Sequence, residues 1–172
     1  MTGRYGPVEE LTAAHLIEDF DCGSDAQTTW LRRHALQSHL GGMSRVFVVV
    51  RRDTNAVVGY YALTTGSVIN SDAPLRLTKG AGNYDIPVII LTRLGVHIEE
   101  QGRGLGRALV VDAFRRVDRV ANEVGVRALL IHAEDEQARD FYLRLASFET
   151  SPVDELQLLL VLKDLRKAVA RA

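Results

Sequence analysis

The stretch Arg93-Leu94-Gly95-Val96-His97-Ile98-Glu99-Glu100-Gln101-Gly102-Arg103-Gly104-Leu105-Gly106-Arg107 decides how the chain folds. The apolar run Val88-Ile89-Ile90-Leu91 leads into it, and an amphipathic pattern over residues 105–124 leads out. A strand, a glycine loop and a helix, in that order, present free backbone N–H groups to a phosphate. Gly102, Gly104 and Gly106 stand at alternate positions, each removing a Cβ where amides must close round an anion. The helix that follows adds its positive N-terminal end. The stretch is therefore a candidate pyrophosphate loop. Glycines at this spacing also serve tight turns, so the spacing alone leaves both readings open. Two commoner phosphate loops are excluded. No Gly-Lys-Ser/Thr occurs, which removes the nucleotide-triphosphate loop. The stretch also lies mid-chain behind a hairpin pattern, with no acidic residue ending the next strand, which argues against a dinucleotide-binding fold.

A chain of 172 residues, 47% apolar and 25% charged, has the size and composition of one globular domain, expected to span 1–172. No apolar run approaches the roughly 20 residues that span a bilayer. Residues 1–7 lack a signal-peptide pattern and are expected to be loose. The lone Cys22 allows no intrachain disulfide and is expected to pack rather than react. A cytoplasmic location is expected. The net charge of −1 hides an asymmetry. Between Arg32 and Arg93 eight basic residues (Arg32, Arg33, Arg45, Arg51, Arg52, Arg76, Lys79 and Arg93) face three acidic ones, Asp53, Asp72 and Asp85. That imbalance is either an anion-binding face or ordinary solvated charge.

The patterning predicts a short helix over 8–16 and a capped helix from Ser24 or Asp25 to about Leu40, stopped by Gly41-Gly42. Strands over 46–50 and 57–63 form a hairpin. Residues 66–84 are irregular, and a connection of that length often carries function. A strand over 86–96, with Pro87 at its beginning, precedes the loop. The helix over 105–124 buries a face that includes Leu105, Leu109, Ala113, Val117, Val120 and Val124, and ends at Gly125. Beyond it come a strand over 128–132, parallel to 86–96 if the helix is a crossover, a helix over 137–145, a strand over 156–162 and a terminal helix over 164–172. Tyr60 and Tyr61 are expected to pack on opposite faces of their strand. His34 and His39, five apart, do not share a helix face, which argues against a metal site.

Gln-x-x-Gly-x-Gly after a strand ending Arg-Leu-Gly-Val resembles the acetyl-coenzyme A loop of GNAT N-acetyltransferases, and the element order resembles theirs along essentially the whole chain. The implied fold is α/β (α+β mixed). It has a central mixed sheet flanked by helices, with a splay between the strands over 86–96 and 128–132. A narrower likeness joins Phe20-x-Cys22-Gly23, Trp30-Leu31, Ser44-Arg45, Gly59-Tyr60-Tyr61, Ile86-Pro87-Val88, Arg93-Leu94 and Phe141-Tyr142. Together these resemble the GNAT toxins of type II toxin–antitoxin pairs, which acetylate the free amine of aminoacyl-tRNA and stop translation. The resemblance implies acetyl-CoA as cofactor, a small antitoxin, expected to be of ribbon-helix-helix type, and a homodimer.

Carried onto these residues, the resemblance places the pantetheine arm on backbone groups of Leu94, Gly95 and Val96. It places the pyrophosphate on the amides of Gln101, Gly102, Arg103, Gly104, Leu105, Gly106 and Arg107, with His132 and Ala133 lining the far side. Tyr142 is the expected acid. A phenol of pKa about 10 holds its proton at neutral pH and can give it to a thiolate whose thiol has a pKa of about 8.5. No base is evident, and Glu99 and Glu100 beside the loop read as solvated. A lysine amine of pKa about 10.4 needs a base, but an α-amine titrating near about 8, lowered further by an adjacent ester, needs little help. Arg45, Arg76, Lys79 and Arg93 are expected to form a basic approach for the tRNA acceptor stem. Two departures from the family pattern stand out. Gly95 replaces the more usual alanine, and residues 143–148 after Tyr142 lack the family's glycine and carry an extra residue. The alternatives are another amine acceptor (a protein N-terminus, a lysine or a small amine) and a coenzyme-binding module without turnover.

Overall fold

The computed structural model describes residues 3–172. Seven strands pair in the order β1-β2-β3-β4-β5-β7-β6. They are β1 (Glu9–Glu10), β2 (Arg45–Val50), β3 (Val57–Val68), β4 (Ile86–Val96), β5 (Ala128–His132), β6 (Glu149–Thr150) and β7 (Gln157–Val161). The helices are α1 (Asp25–Arg33), α2 (Ala35–Leu40), α3 (Leu75–Thr78), α4 (Leu105–Ala121), α5 (Glu136–Leu143) and α6 (Leu162–Arg171). The β4–β5 pair is parallel, as a helical crossover requires, and β1–β2, β2–β3, β5–β7 and β6–β7 are antiparallel. The sheet is thus mixed but mostly antiparallel. The chain forms two compact units, one of residues 1–64 and 92–112, the other of residues 65–91 and 113–172.

In the first unit the β-branched run of β2 pairs with β3 from Arg45–Leu63 to Val50–Val57, with a bulge at Val49/Val50. Its core gathers Leu11, Phe20, Leu31, Ala35, Val46, Val48 and Tyr60. Tyr60 stacks on Trp30 and meets Phe20 edge-on, and its hydroxyl donates to the Gln27 carbonyl at 2.6 Å. Tyr61, on the other face of β3, packs against Phe47 and bonds Asp112 of α4 at 2.5 Å. Ser24 caps α1 by accepting from the Gln27 N–H.

Three expectations change here. Residues 8–16 form no helix. Glu9 and Glu10 pair with Val48 and Phe47, and the Leu11 N–H donates to Val46. The helix expected from 25 to 40 breaks at His34, whose φ of −124° leaves the helical region. Leu31 and Ala35 nevertheless stay on one buried face across the break. The segment before Pro7 is not loose where it is described. Tyr5 is buried and bridges to Arg51, and the Gly6 N–H donates to Val50. Met1 and Thr2 lie outside the described residues.

In the second unit β3 runs on to Val68, and a short 3-10 turn and α3 follow, so residues 66–84 are more ordered than expected. Val68, Leu77, Ile86, Val88, Leu130 and Leu159 form its core. The β4–β5 register runs from Val88–Ala128 to Leu91–Ile131 and stops short of Leu94, Gly95 and Val96. Helix α4 ends at Ala121, before the expected 124, and Val120 and Val124 are exposed. The two-residue β6, absent from the sequence reading, pairs with Leu159 and Leu158 of β7.

Candidate active site

The glycine loop follows β4 in the first unit. His97 leaves the strand with its N–H on Val58, and a 3-10 turn carries Ile98, Glu99 and Glu100. Gly102 and Gly104 have φ of +77° and +83°. A Cβ at either would meet nothing within 4 Å, so the left-handed backbone, not space, requires glycine. The Gln101 side chain donates from Nε2 to Val96 O at 2.9 Å and Cys22 O at 3.0 Å, fastening the loop to the end of β4. Gln101, Gly102, Arg103, Gly104 and Arg107 are exposed, Gly106 is half-buried, and Leu105 is buried as the first anchor of α4. An open loop on a buried anchor, ahead of a helix N-terminus, suits an anionic ligand.

Beneath the loop, Glu100 overturns the expectation of a solvated carboxylate. It is wholly buried. Arg4 donates to it twice, at 2.8 and 2.9 Å, the Tyr5 hydroxyl bonds it, and Arg51 reaches it at 3.3 Å. Arg103 of the loop lies at 3.5 Å. The Arg4 hydrogen bonds, aided by Tyr5 and against the cost of burial, hold the carboxyl down to about 2. Such a group is no general base near neutral pH. The unfolded value, 4.5, is higher, so this stabilisation is present above about 4.5 and is lost as pH falls toward 2. The melting temperature is expected to fall steeply across that window. Glu100→Gln should flatten that part of the curve, and an unchanged acid limb would refute the assignment.

Gly95 is closely packed. A Cβ there would stand 3.0 Å from Tyr60 and 3.3 Å from both Cys22 Sγ and Phe20. Gly95→Ala should therefore lower stability by about 1–3 kcal/mol, readable in a chemical melt. A melt matching the parent would show that the aromatic pair yields freely. Two residues before it, the Arg93 guanidinium lies 5.3 Å over the Trp30 ring and reaches Gln27 Oε1 at 3.5 Å. Arg45 is exposed and donates to the His39 carbonyl near the end of α2.

The second unit holds Tyr142, buried on α5, with Phe141 and Phe148 edge-on to its ring. Burial pushes the phenol above its ordinary value, and the Glu134 carboxylate adds to the rise. The proton therefore stays on oxygen in neutral solution. The segment after Tyr142 needs no glycine. Arg144 ends the helix at φ −75°, the Leu145 N–H returns to Tyr142 O, and Phe148 folds back on both Tyr142 and Phe114. His132 is exposed, 3.5 Å from Asp154, and Ala133 is buried with its N–H on Leu156. Lys79 is exposed at the end of α3. Arg76 is a correction. Its Nη1 donates to Asp164 at 2.6 Å and Glu149 at 2.7 Å, so its charge is already balanced inside this unit. The expected basic approach does not include it.

The family model for GNAT acetyltransferases matches residues 9–148. The chain belongs to the GNAT acetyltransferase family. A tRNA-acetylating toxin of Mycobacterium tuberculosis (strain ATCC 25618 / H37Rv) is 41% identical over 96% of this chain and 97% of its own length. The structure of AtaT complexed with acetyl-methionyl-tRNAfMet is similar with a TM-score of 0.83 and 28% identity, covering 91% of this chain and 95% of that one. A tyrosine-to-phenylalanine mutant of AtaT bound to the C-terminus of the antitoxin AtaR and acetyl-CoA is similar with a TM-score of 0.79 and 26% identity, covering 95% and 97%. The strand, glycine loop and helix were legible as a pattern, while the spacing alone left a phosphate loop and a tight turn both open. The Glu100 cluster was not legible, because Arg4, Tyr5 and Arg51 come from segments remote in sequence.

Proposed function

We propose that this chain is an acetyl-CoA-dependent N-acetyltransferase toxin that acetylates the free α-amine of aminoacyl-tRNA and thereby blocks translation. The likeness to the Mycobacterium tuberculosis toxin, spanning nearly all of both chains, carries this reading. The family supplies the chemistry, and acetyl-CoA is the donor. Residues 1–172 act as one GNAT domain, which the span of the family match supports.

Backbone groups of Leu94, Gly95 and Val96, which lie beyond the β5 register, take the pantetheine arm. The amides from Gln101 to Arg107 take the pyrophosphate, and His132 and Ala133 line the arm. The amine nitrogen attacks the thioester carbonyl carbon. A C–N bond forms, the C–S bond breaks, and the sulfur takes its proton from Tyr142 Oη. The proton shed by the nitrogen restores the phenol, directly or through water. Glu100, held ionised by arginines, does not serve as base, in keeping with an acceptor amine that is already largely neutral. Arg45, Lys79 and Arg93 contact the tRNA backbone as a salt-sensitive basic approach. The partners are an antitoxin, of ribbon-helix-helix type, and a second copy of the chain. No helix among the described residues is long and apolar enough to cross a membrane, and action on tRNA puts the protein in the cytoplasm.

Initial rates with labelled acetyl-CoA on charged tRNA, the same tRNA after deacylation, and a lysine peptide test the acceptor. Transfer to charged tRNA alone is expected, weakening as salt rises. A comparable rate on the peptide would move the assignment to protein amines.

A further inference from the structure

We propose that Glu100 is a positioning residue for coenzyme A: as the buried anchor of a guanidinium cluster, it sets the geometry of the pyrophosphate loop. This rests on the reading of residues 101–107 as that loop. Glu100 immediately precedes the loop and is wholly buried. Four side chains converge on its carboxylate. Arg4 and Tyr5 arrive from the N-terminal segment, Arg51 from the end of β2, and Arg103 from the loop itself. One carboxylate thus ties two separate pieces of the first unit, the N-terminal segment and the end of β2, to the start of the loop.

The charge count gives the cluster its direction. Arg51 is also paired with Asp53 at 2.7 Å, which neutralises it. Arg4 and Arg103 then share one carboxylate, leaving a surplus positive charge beside the loop. Arg103 meets Glu100 through Nε, and among the described residues its terminal nitrogens enter no ion pair. Those nitrogens are free for a phosphate, and a guanidinium held along one edge meets an anion with less ordering cost. The N-terminal segment therefore belongs to the coenzyme apparatus although nearly a hundred residues separate it from the loop.

The sign of the effect separates positioning from simple charge. Glu100→Gln removes a negative charge next to an anion site, so a purely coulombic role predicts tighter binding of coenzyme A. Loss of the anchor predicts weaker binding. Titration of the full chain with coenzyme A, together with acetyl-CoA kinetics, reads the difference. Glu100→Gln is expected to raise the Kd for coenzyme A and the KM for acetyl-CoA at least about tenfold while kcat holds within about threefold. Glu100→Asp should recover part of the loss. Arg4→Lys, which keeps a positive charge beside the buried carboxylate but not the paired donation, should raise the Kd about threefold. A folded Glu100→Gln protein with equal or tighter coenzyme binding overturns the proposal. If that variant does not fold, an unchanged Kd in Arg4→Lys does so. Absence of coenzyme binding by the parent chain would instead sink the reading of the loop, and the proposal with it.

Discussion

Tyr142→Phe is expected to lower kcat for acetyl transfer by at least about a hundredfold while leaving the Kd for coenzyme A unchanged. The substitution removes one oxygen from a ring packed between Phe141 and Phe148 and keeps the volume of the side chain. Packing is conserved, so a fall in rate reports the lost proton and not a lost fold. Burial and Glu134 both hold the phenol protonated, so the pool of acid is full at neutral pH. Without it the sulfur must leave as a free thiolate or take a proton from water. Water is a weaker acid than the phenol, and the cost falls on kcat. Normal turnover by the folded variant would remove Tyr142 from the mechanism. A loss confined to coenzyme affinity would make it a packing residue.

Gly104→Val is expected to weaken coenzyme A binding at least about tenfold. A β-branched residue at a φ of +83° is strained by about 1–3 kcal/mol. Nothing stands within 4 Å of the added Cβ, so the cost at this atom lies in the backbone conformation. The strain has one local outlet: the backbone rotates away from the left-handed region and takes the loop amides with it. The melting temperature should drop only modestly, because the buried anchor Leu105 is untouched. Tight binding by Gly104→Val would mean that the amides do not converge on the pyrophosphate, and the loop would revert to a tight turn that happens to be rich in glycine.

The elements legible in the sequence are those whose cause is local. Val46 to Val50, the alternate glycines 102, 104 and 106, and the three-and-four spacing of α4 each carry their own instruction, and each forms the element its pattern specifies, with α4 stopping short at Ala121. What escaped has its cause elsewhere in the chain. Glu9 and Glu10 form a strand only because β2 offers them an edge. Glu149 and Thr150 form one only because β7 does. Tyr5 is buried by Glu100, and Arg76 is neutralised by Glu149 and Asp164, pairings that no window of sequence contains. For backbone binding, the exchange of alanine for Gly95 is conservative. Only the packing of Tyr60, Phe20 and Cys22 around it shows that a methyl group there would crowd its neighbours. The missing glycine after Tyr142 likewise becomes intelligible once the helix is seen to end without a left-handed residue and Phe148 to return to the ring.

The destination of the acetyl group decides the function. Purified protein is incubated with carbon-labelled acetyl-CoA and total charged tRNA, the aminoacyl ester is cleaved with mild base, and the released material is analysed by mass spectrometry. The predicted result is an N-acetylated amino acid carrying the label, absent when the tRNA is deacylated beforehand. Label retained on the tRNA after ester cleavage, or found only on protein, would contradict it.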